Sequence, residues 1–345
     1  MEKLMALIII LFVGLGCKSS FPSGLGHHDG SGGYQNLDPE ARAKGIFWII
    51  VWQVSNWFRK MPSVDPKDYQ FTILKNDGIG LKNNTSKFTI TWVGHATTLV
   101  QIDGLNILTD PIWSERCSPV SFAGPKRYSS PGIDMENLPK IDIVIISHNH
   151  YDHMDLATLQ TLQSKFKPFF FVGLGNKKLL IEEGLQNVEE LDWWEERQIE
   201  NVKVVFTPTQ HFSARGVFDR DKTLWGSYIV KGKKNSFYFA GDTGYFSGFQ
   251  EIGKKFPNID VAILPIGAYE PRWFMKAIHM NPFDSANAFQ DLGAQKFFPM
   301  HYQTFVLTDE ALDEPLRLIH QEFSDRKWDK KNLLDLKIGE TRFLD

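Results

Sequence analysis

Residues 141–153 read IDIVIISHNHYDH, an apolar β-branched run that ends in three histidines and an aspartate within six residues, His148 to His153. A short apolar run of this kind reads as a fully buried strand. Three more runs end the same way: VKVVFTPTQ reaches His211, SFYFAG reaches Asp242 and KFFPM reaches His301. A lone histidine after a strand is usually a hydrogen-bonded structural residue. Four such endings in one chain point instead to a shared site at one end of a sheet, where α/β folds place their chemistry. Further β-rich runs (FTITWV, TLVQI, LNILT, VAILPI) alternate with helical stretches at 156–165, 284–292 and 310–323. That alternation predicts a layered α/β domain with its helices outside.

The spacing carries the chemistry further. His148 and His150 converge if their segment is extended, whereas on a helix they would diverge. Asp152 and His153 then turn away from that pair, so one loop can feed two metal positions. His211 and His301 can complete them from distant strands, and Asp242 can bridge both ions through its two oxygens. Imidazole and carboxylate suit zinc and also admit iron or manganese. Two divalent ions bring +4, from which Asp152, Asp242 and a shared hydroxide remove three. The remaining charge of roughly +1 favours an anionic phosphodiester and the oxyanions of its transition state.

Composition narrows the alternatives. The chain has 345 residues, 42% of them hydrophobic, and a net charge of −3. It is long enough for a large core, and its charge balance excludes a general nucleic-acid binder. Its two cysteines cannot build a disulfide framework. Cys117 reads as a small, partly buried thiol.

The N-terminus reads as four blocks. Residues 1–16 have the short apolar core of a signal peptide and are too short to span a bilayer. GLGC at 14–17 resembles a bacterial lipobox, with Cys17 as the lipidated residue. Residues 17–40, rich in Gly, Ser and Pro, read as a flexible tether in which His27 and His28 are solvated. Residues 41–86 contain the apolar block IFWIIVWQV and read as a helical extension packing on the main domain, residues 87–345. This arrangement places the protein in a bacterial cell envelope, lipid-anchored, with the outer membrane preferred to the inner.

The motifs WVGHATT, LTDPIWS, GPKRY, ISHNHYDHMD, ELDWWEE, FTPTQH, LWGSY, FAGDTGY and IGAYEPRWFM resemble one group within the metallo-β-lactamase superfamily. That group is the N-acyl-phosphatidylethanolamine-hydrolysing phospholipase D family and its bacterial outer-membrane relatives. The resemblance implies an αβ/βα four-layer sandwich, two mixed sheets flanked by helices. It assigns His148, His150 and His211 to one zinc and Asp152, His153 and His301 to the other, with Asp242 between them. It also implies a role at the site mouth for His279, in phosphate contact or proton donation, and catalytic roles for Asp152 and Asp242. His95 reads as a hydrogen-bonding support for the ligands, and Tyr151 as a residue lining the site. An apolar mouth for a lipid is expected from Trp48, Trp52, Trp57 or Trp193. The implied reaction is hydrolysis of a membrane phospholipid to phosphatidate and an N-acylethanolamine, and the family also implies a possible homodimer. Relatives commonly carry HWGTF where this chain has HYQTF at 301–305, which alters the wall beside His301. The competing readings are a hydrolase of a soluble phosphodiester or lactone, and a non-catalytic surface lipoprotein. The complete set of seven metal-competent side chains weighs against the last.

Overall fold

The computed structural model describes residues 26–344 apart from 39–40, 60, 63–67, 70 and 217. The signal segment 1–16, Cys17 and the tether as far as residue 25 lie outside the described residues. Two mixed sheets face each other. The first has the order β13-β1-β2-β3-β4-β5-β6 and the second β12-β11-β10-β9-β8-β7. The strands of the first sheet are β1 Thr89–Gly94, β2 Thr97–Ile102, β3 Leu105–Thr109, β4 Ile143–Ile145, β5 Phe169–Gly173, β6 Val188–Leu191 and β13 Thr341–Phe343. Those of the second are β7 Glu196–Ile199, β8 Val202–Thr207, β9 Ser227–Lys231, β10 Ser236–Phe239, β11 Val261–Pro265 and β12 Lys296–Met300. Strands β3 to β6 run parallel, as do β10 to β12, while the other neighbours pair antiparallel.

Period-2 alternation explains why the runs look continuously apolar. In β4 and the residue after it, Ile143 and Ile145 point into the core shared with the second sheet. Val144 and Ile146 point outward, onto Leu159 and Leu162 of the helix Leu156–Phe166. Both faces of the strand are thus buried, the expected state of a parallel strand under helices. The helix Pro282–Leu292 shows the local signals plainly. Asn281 accepts from the Asp284 amide, Pro282 opens the first turn, and Gly293 ends the helix at φ 62°.

The N-terminal residues depart from a free tether. Over residues 26–38 the chain is seated on the domain: His27 is 5% exposed, stacks on Trp193 at 4.2 Å, and lies with Nε2 2.6 Å from Asp192 Oδ1. His28 Nε2 reaches the other oxygen of Asp192 at 3.0 Å. The glycines and serines that suggest flexibility instead make a turn, in which the Asp29 side chain accepts from the amides of Ser31 and Gly33. The helix Ile46–Asn56 lies against the main domain through Trp52, which stacks on Phe274 at 5.3 Å. The Trp52 indole donates to buried Asp309, which also accepts from Asn56 and Arg59. Among the described residues, no helix is long and apolar enough to cross a membrane.

Candidate metal centre

The side chains that the sequence marks at strand ends meet at one edge of the two sheets. The loop after β4 supplies His148, His150, Asp152 and His153. His211 follows β8, Asp242 follows β10 and His301 follows β12. His148, His150 and His211 form one group of mutually close ligand atoms, and Asp152, His153, His301 and His95 form a second. In the first, His150 Nδ1 lies 2.8 Å from His148 Nε2 and 3.3 Å from His211 Nε2. In the second, His153 Nε2 lies 3.1 Å from His301 Nε2, and both approach Asp152 Oδ2, at 3.1 and 3.3 Å. Asp242 touches both groups. One of its oxygens is 3.1 Å from His153 Nε2 and 3.9 Å from His211 Nε2, and the other is 3.1 Å from His301 Nε2.

The partners behind these rings decide what the inward nitrogens can do. His211 Nδ1 lies 2.9 Å from the Ile278 carbonyl, which can only accept, so that nitrogen carries the proton. Ser147 Oγ donates to Asp110 at 2.6 Å, leaving its lone pair to accept from His148 Nδ1 at 2.9 Å. His153 Nδ1 donates to Asp110 Oδ2 at 2.6 Å. With their outer nitrogens committed, His148 and His211 present lone pairs where their Nε2 atoms converge, as a metal requires. Three imidazole nitrogens held this close, two of them with free lone pairs, fit a divalent cation between them.

Protonation follows the same geometry. Burial pushes His148 and His211 well below the ordinary imidazole value, and carries His150 down to about 4. Burial would also lower His153 and His301, but the Asp242 and Asp152 carboxylates more than offset it, raising His301 to about 9. Burial alone would raise Asp152 and Asp242; the charge on His153 beside them holds both well below the carboxylate range. In the metal-free chain, protons on His153 and His301 therefore stand where a cation would balance the two acids.

Five of the thirteen described non-glycine residues with positive φ lie around this place. Residues His95, Asp110, Ala268, His301 and Gln303 all have φ between 33° and 65°, a region that costs non-glycine residues about 1–3 kcal/mol each. Gln303 stands at φ 60° where the related HWGTF segment has glycine. Gly241 is obligatory: at φ 59° a Cβ there would lie 2.3 Å from the Ser147 Cβ.

A family model described as a β-lactamase superfamily domain matches residues 105–302, more than half of the chain. The chain belongs to the metallo-β-lactamase superfamily. An uncharacterized protein of Mycobacterium tuberculosis is 36% identical over 299 residues, covering 83% of this chain and 76% of the relative. N-acyl-phosphatidylethanolamine-hydrolyzing phospholipase D 1 of Caenorhabditis elegans is 39% identical over 256 residues, covering 70% of this chain and 71% of the relative. Among solved structures, a metallo hydrolase of Ignicoccus hospitalis superposes with a TM-score of 0.56 at 23% identity, covering 75% of this chain and 99% of its own. The superfamily sandwich and a metal-dependent hydrolase of that fold follow.

Other residues singled out in the sequence fall at varied distances from the centre. His95 Nε2 donates to Asp152 Oδ2 at 2.9 Å, and Thr304 holds the His95 amide. His279 sits at the mouth with Nδ1 3.8 Å from Asp242 Oδ2, and burial brings it down to about 4. Tyr151 lines a neighbouring cavity rather than the one over the candidate ligands; its hydroxyl donates to the Arg215 carbonyl and its ring lies under the Arg215 guanidinium. Trp193 is not a mouth residue. Its indole donates to the Trp225 carbonyl inside the core, because its ring is needed to fill the space beneath His27.

The cavity over these candidate ligands, about 200 Å³, is lined by His150, Asp152, Asp242 and His279 together with Ile49, Phe212, Phe274, Met275, Ile278 and Leu307. None of the four expected tryptophans lines it; aliphatic and phenyl groups make its apolar wall. Sequence reasoning left Asp110 unassigned, although LTDP places an acid directly after β3, the same signal that marks Asp242. Asn36 carried no such signal, because it lies in the Gly/Ser-rich segment.

Proposed function

We propose that this protein is a dinuclear zinc phosphodiesterase that hydrolyses N-acylated or related phosphatidylethanolamines at a membrane surface, releasing phosphatidate and an N-acylethanolamine. The observation that carries this reading is the two-sided cavity, with metal-competent side chains and His279 on one side and an apolar wall on the other. Such a division suits a phosphodiester attached to acyl chains. Lys44 and Arg220 also line the cavity, and their positive charges favour an anionic phosphate. Two divalent cations held by His148, His150 and His211, and by Asp152, His153 and His301 with Asp242 shared, would supply Lewis acidity and a water of lowered pKa. His95 and Asp110 orient Asp152 and His153 by hydrogen bonds. His279, facing Asp242 from the mouth, is placed to contact a phosphoryl oxygen or pass a proton to the leaving group. The wall from Phe212 to Leu307 excludes water from the bond being cut.

The outer surface supports a lipid substrate. Phe47, Trp48 and Ile49 on the helix Ile46–Asn56, with Trp273 beside them, are exposed, and Ile49 also lines the cavity. At the helix end Trp57 is 78% and Phe58 85% exposed. Exposed aromatics flanked by Lys44 and Arg59 suit the interface of a bilayer. A lipid on Cys17, read from the sequence, would hold this face at the envelope membrane.

The test is product analysis by mass spectrometry after incubation with vesicles containing N-acyl-phosphatidylethanolamine. Wild type is expected to form phosphatidate and N-acylethanolamine, and His150→Ala to form neither. Metal-replete protein that leaves this lipid intact while cleaving a soluble diester or lactone would overturn the substrate assignment.

A further inference from the structure

When β8 ends, the chain leaves the ladder and His211 has no strand neighbour for its amide or carbonyl. Both find partners in one side chain from far away in sequence. The Asn36 amide nitrogen donates to the His211 carbonyl at 2.9 Å, and its oxygen accepts from the His211 amide at 3.0 Å. The same nitrogen donates to the Ala41 carbonyl at 2.6 Å, and the same oxygen accepts from the Trp225 indole at 3.0 Å. A primary amide has two donor hydrogens and two acceptor lone pairs, and here all four are used. The orientation is therefore fixed, since turning the amide over would set nitrogen against two N–H donors and oxygen against two carbonyls. Asn36 is buried, so water offers no substitute. The His211 ring is fixed separately, by Ile278, and the preceding residue is tied to Thr243 and Ala277.

We propose that Asn36 is a positioning residue for the metal ligand His211, so that the N-terminal segment completes one half of the metal centre. The proposal rests on the reading of the centre as dinuclear. Its consequence is local: disturbing Asn36 loosens the backbone that carries His211, and so weakens the cation position shared with His148 and His150. The position made by Asp152, His153 and His301 has no bond to Asn36. A residue that only holds the fold together would affect both positions alike.

The experiment uses the full chain as wild type, Asn36→Ala and Asn36→Asp. Asp is isosteric, keeps the acceptors for the His211 amide and the Trp225 indole, and turns the two donor contacts into repulsions. Zinc alone is titrated into metal-free protein against a competing chelator, and amide hydrogen exchange over 208–212 is followed in the metal-free state. Wild type is expected to bind two cations. Each variant is expected to bind one of them about 10–100-fold more weakly, to retain wild-type affinity for the other, and to exchange the His211 amide faster. If Asn36→Ala fails to fold, Asn36→Asp decides by the same readouts. Two cations bound at wild-type affinity by the variants, or both weakened equally, would overturn the role of Asn36 and leave the dinuclear reading standing. A wild-type chain that binds no zinc would overturn the dinuclear reading itself.

Discussion

Replacing Asp110 by asparagine tests whether the residues behind the ligands set the metal affinity. Asp110 is fully buried and accepts three hydrogen bonds: from the Ser147 amide at 2.7 Å, from Ser147 Oγ at 2.6 Å and from His153 Nδ1 at 2.6 Å. Asparagine has the same shape, and its oxygen can still serve the Ser147 amide. Its NH2 group, however, then faces His153 Nδ1. Either His153 moves its proton to Nε2, the atom aimed at Asp152, Asp242 and His301, or two donors face each other. The first course removes a ligand lone pair, and loss of such an orienting partner costs about 10–100-fold in metal affinity, equivalent to about 1.4–2.7 kcal/mol. The second leaves a buried donor without an acceptor, a penalty of about 1–3 kcal/mol. The two routes agree in size. Competition for zinc against a chromophoric chelator at neutral pH reads the loss directly, and thermal melting of the metal-free protein separates it from a folding defect. Wild-type affinity for both cations in Asp110→Asn would refute the claim that this carboxylate fixes the His153 tautomer.

Other expectations are equally direct. In the metal-free chain His301 is raised from 6.5 to about 9, so its contribution to stability is full below about pH 6.5 and is lost as the pH rises through about 9. A cation must displace that proton; calorimetric uptake should therefore release protons and tighten from pH 6 to 9, and heats independent of buffer ionisation would contradict this. His279→Ala should keep the full metal content by elemental analysis while turnover falls about 10²–10⁴-fold; loss of metal would make it a ligand instead. Gly241→Ala, with its Cβ forced against Ser147, should lower stability by about 2–6 kcal/mol through overpacking and backbone strain, and an unchanged urea midpoint would show that Ser147 yields.

The layered sandwich was readable because most of its strands are buried on both faces and so appear as unbroken apolar runs, four of which, β4, β8, β10 and β12, end where chemistry begins. The motifs also point to the superfamily that the comparisons identify. His148, His150, Asp152 and His153 could be grouped from spacing alone, since one loop carries all four. What the sequence hides depends on long-range packing. Nothing in GHHDGSGGYQN distinguishes a loose tether from a segment whose His27 fills a gap beside Trp193 and whose Asn36 clamps His211, because turn-forming residues serve both states. Trp193 misleads in the opposite sense: an aromatic in ELDWWEE looks available for a ligand, yet the core claims it. The apolar wall of Phe212, Phe274, Met275 and Leu307 comes from three separate stretches with no common pattern, so only the fold assembles it.

Anomalous diffraction from crystals grown with zinc, recorded on both sides of the zinc absorption edge, tests the central claim most directly. The account predicts two zinc peaks per chain, one among His148, His150 and His211, the other among Asp152, His153 and His301, with Asp242 touching both. A single peak, or a zinc held by His95 or His279 in place of these residues, would contradict it.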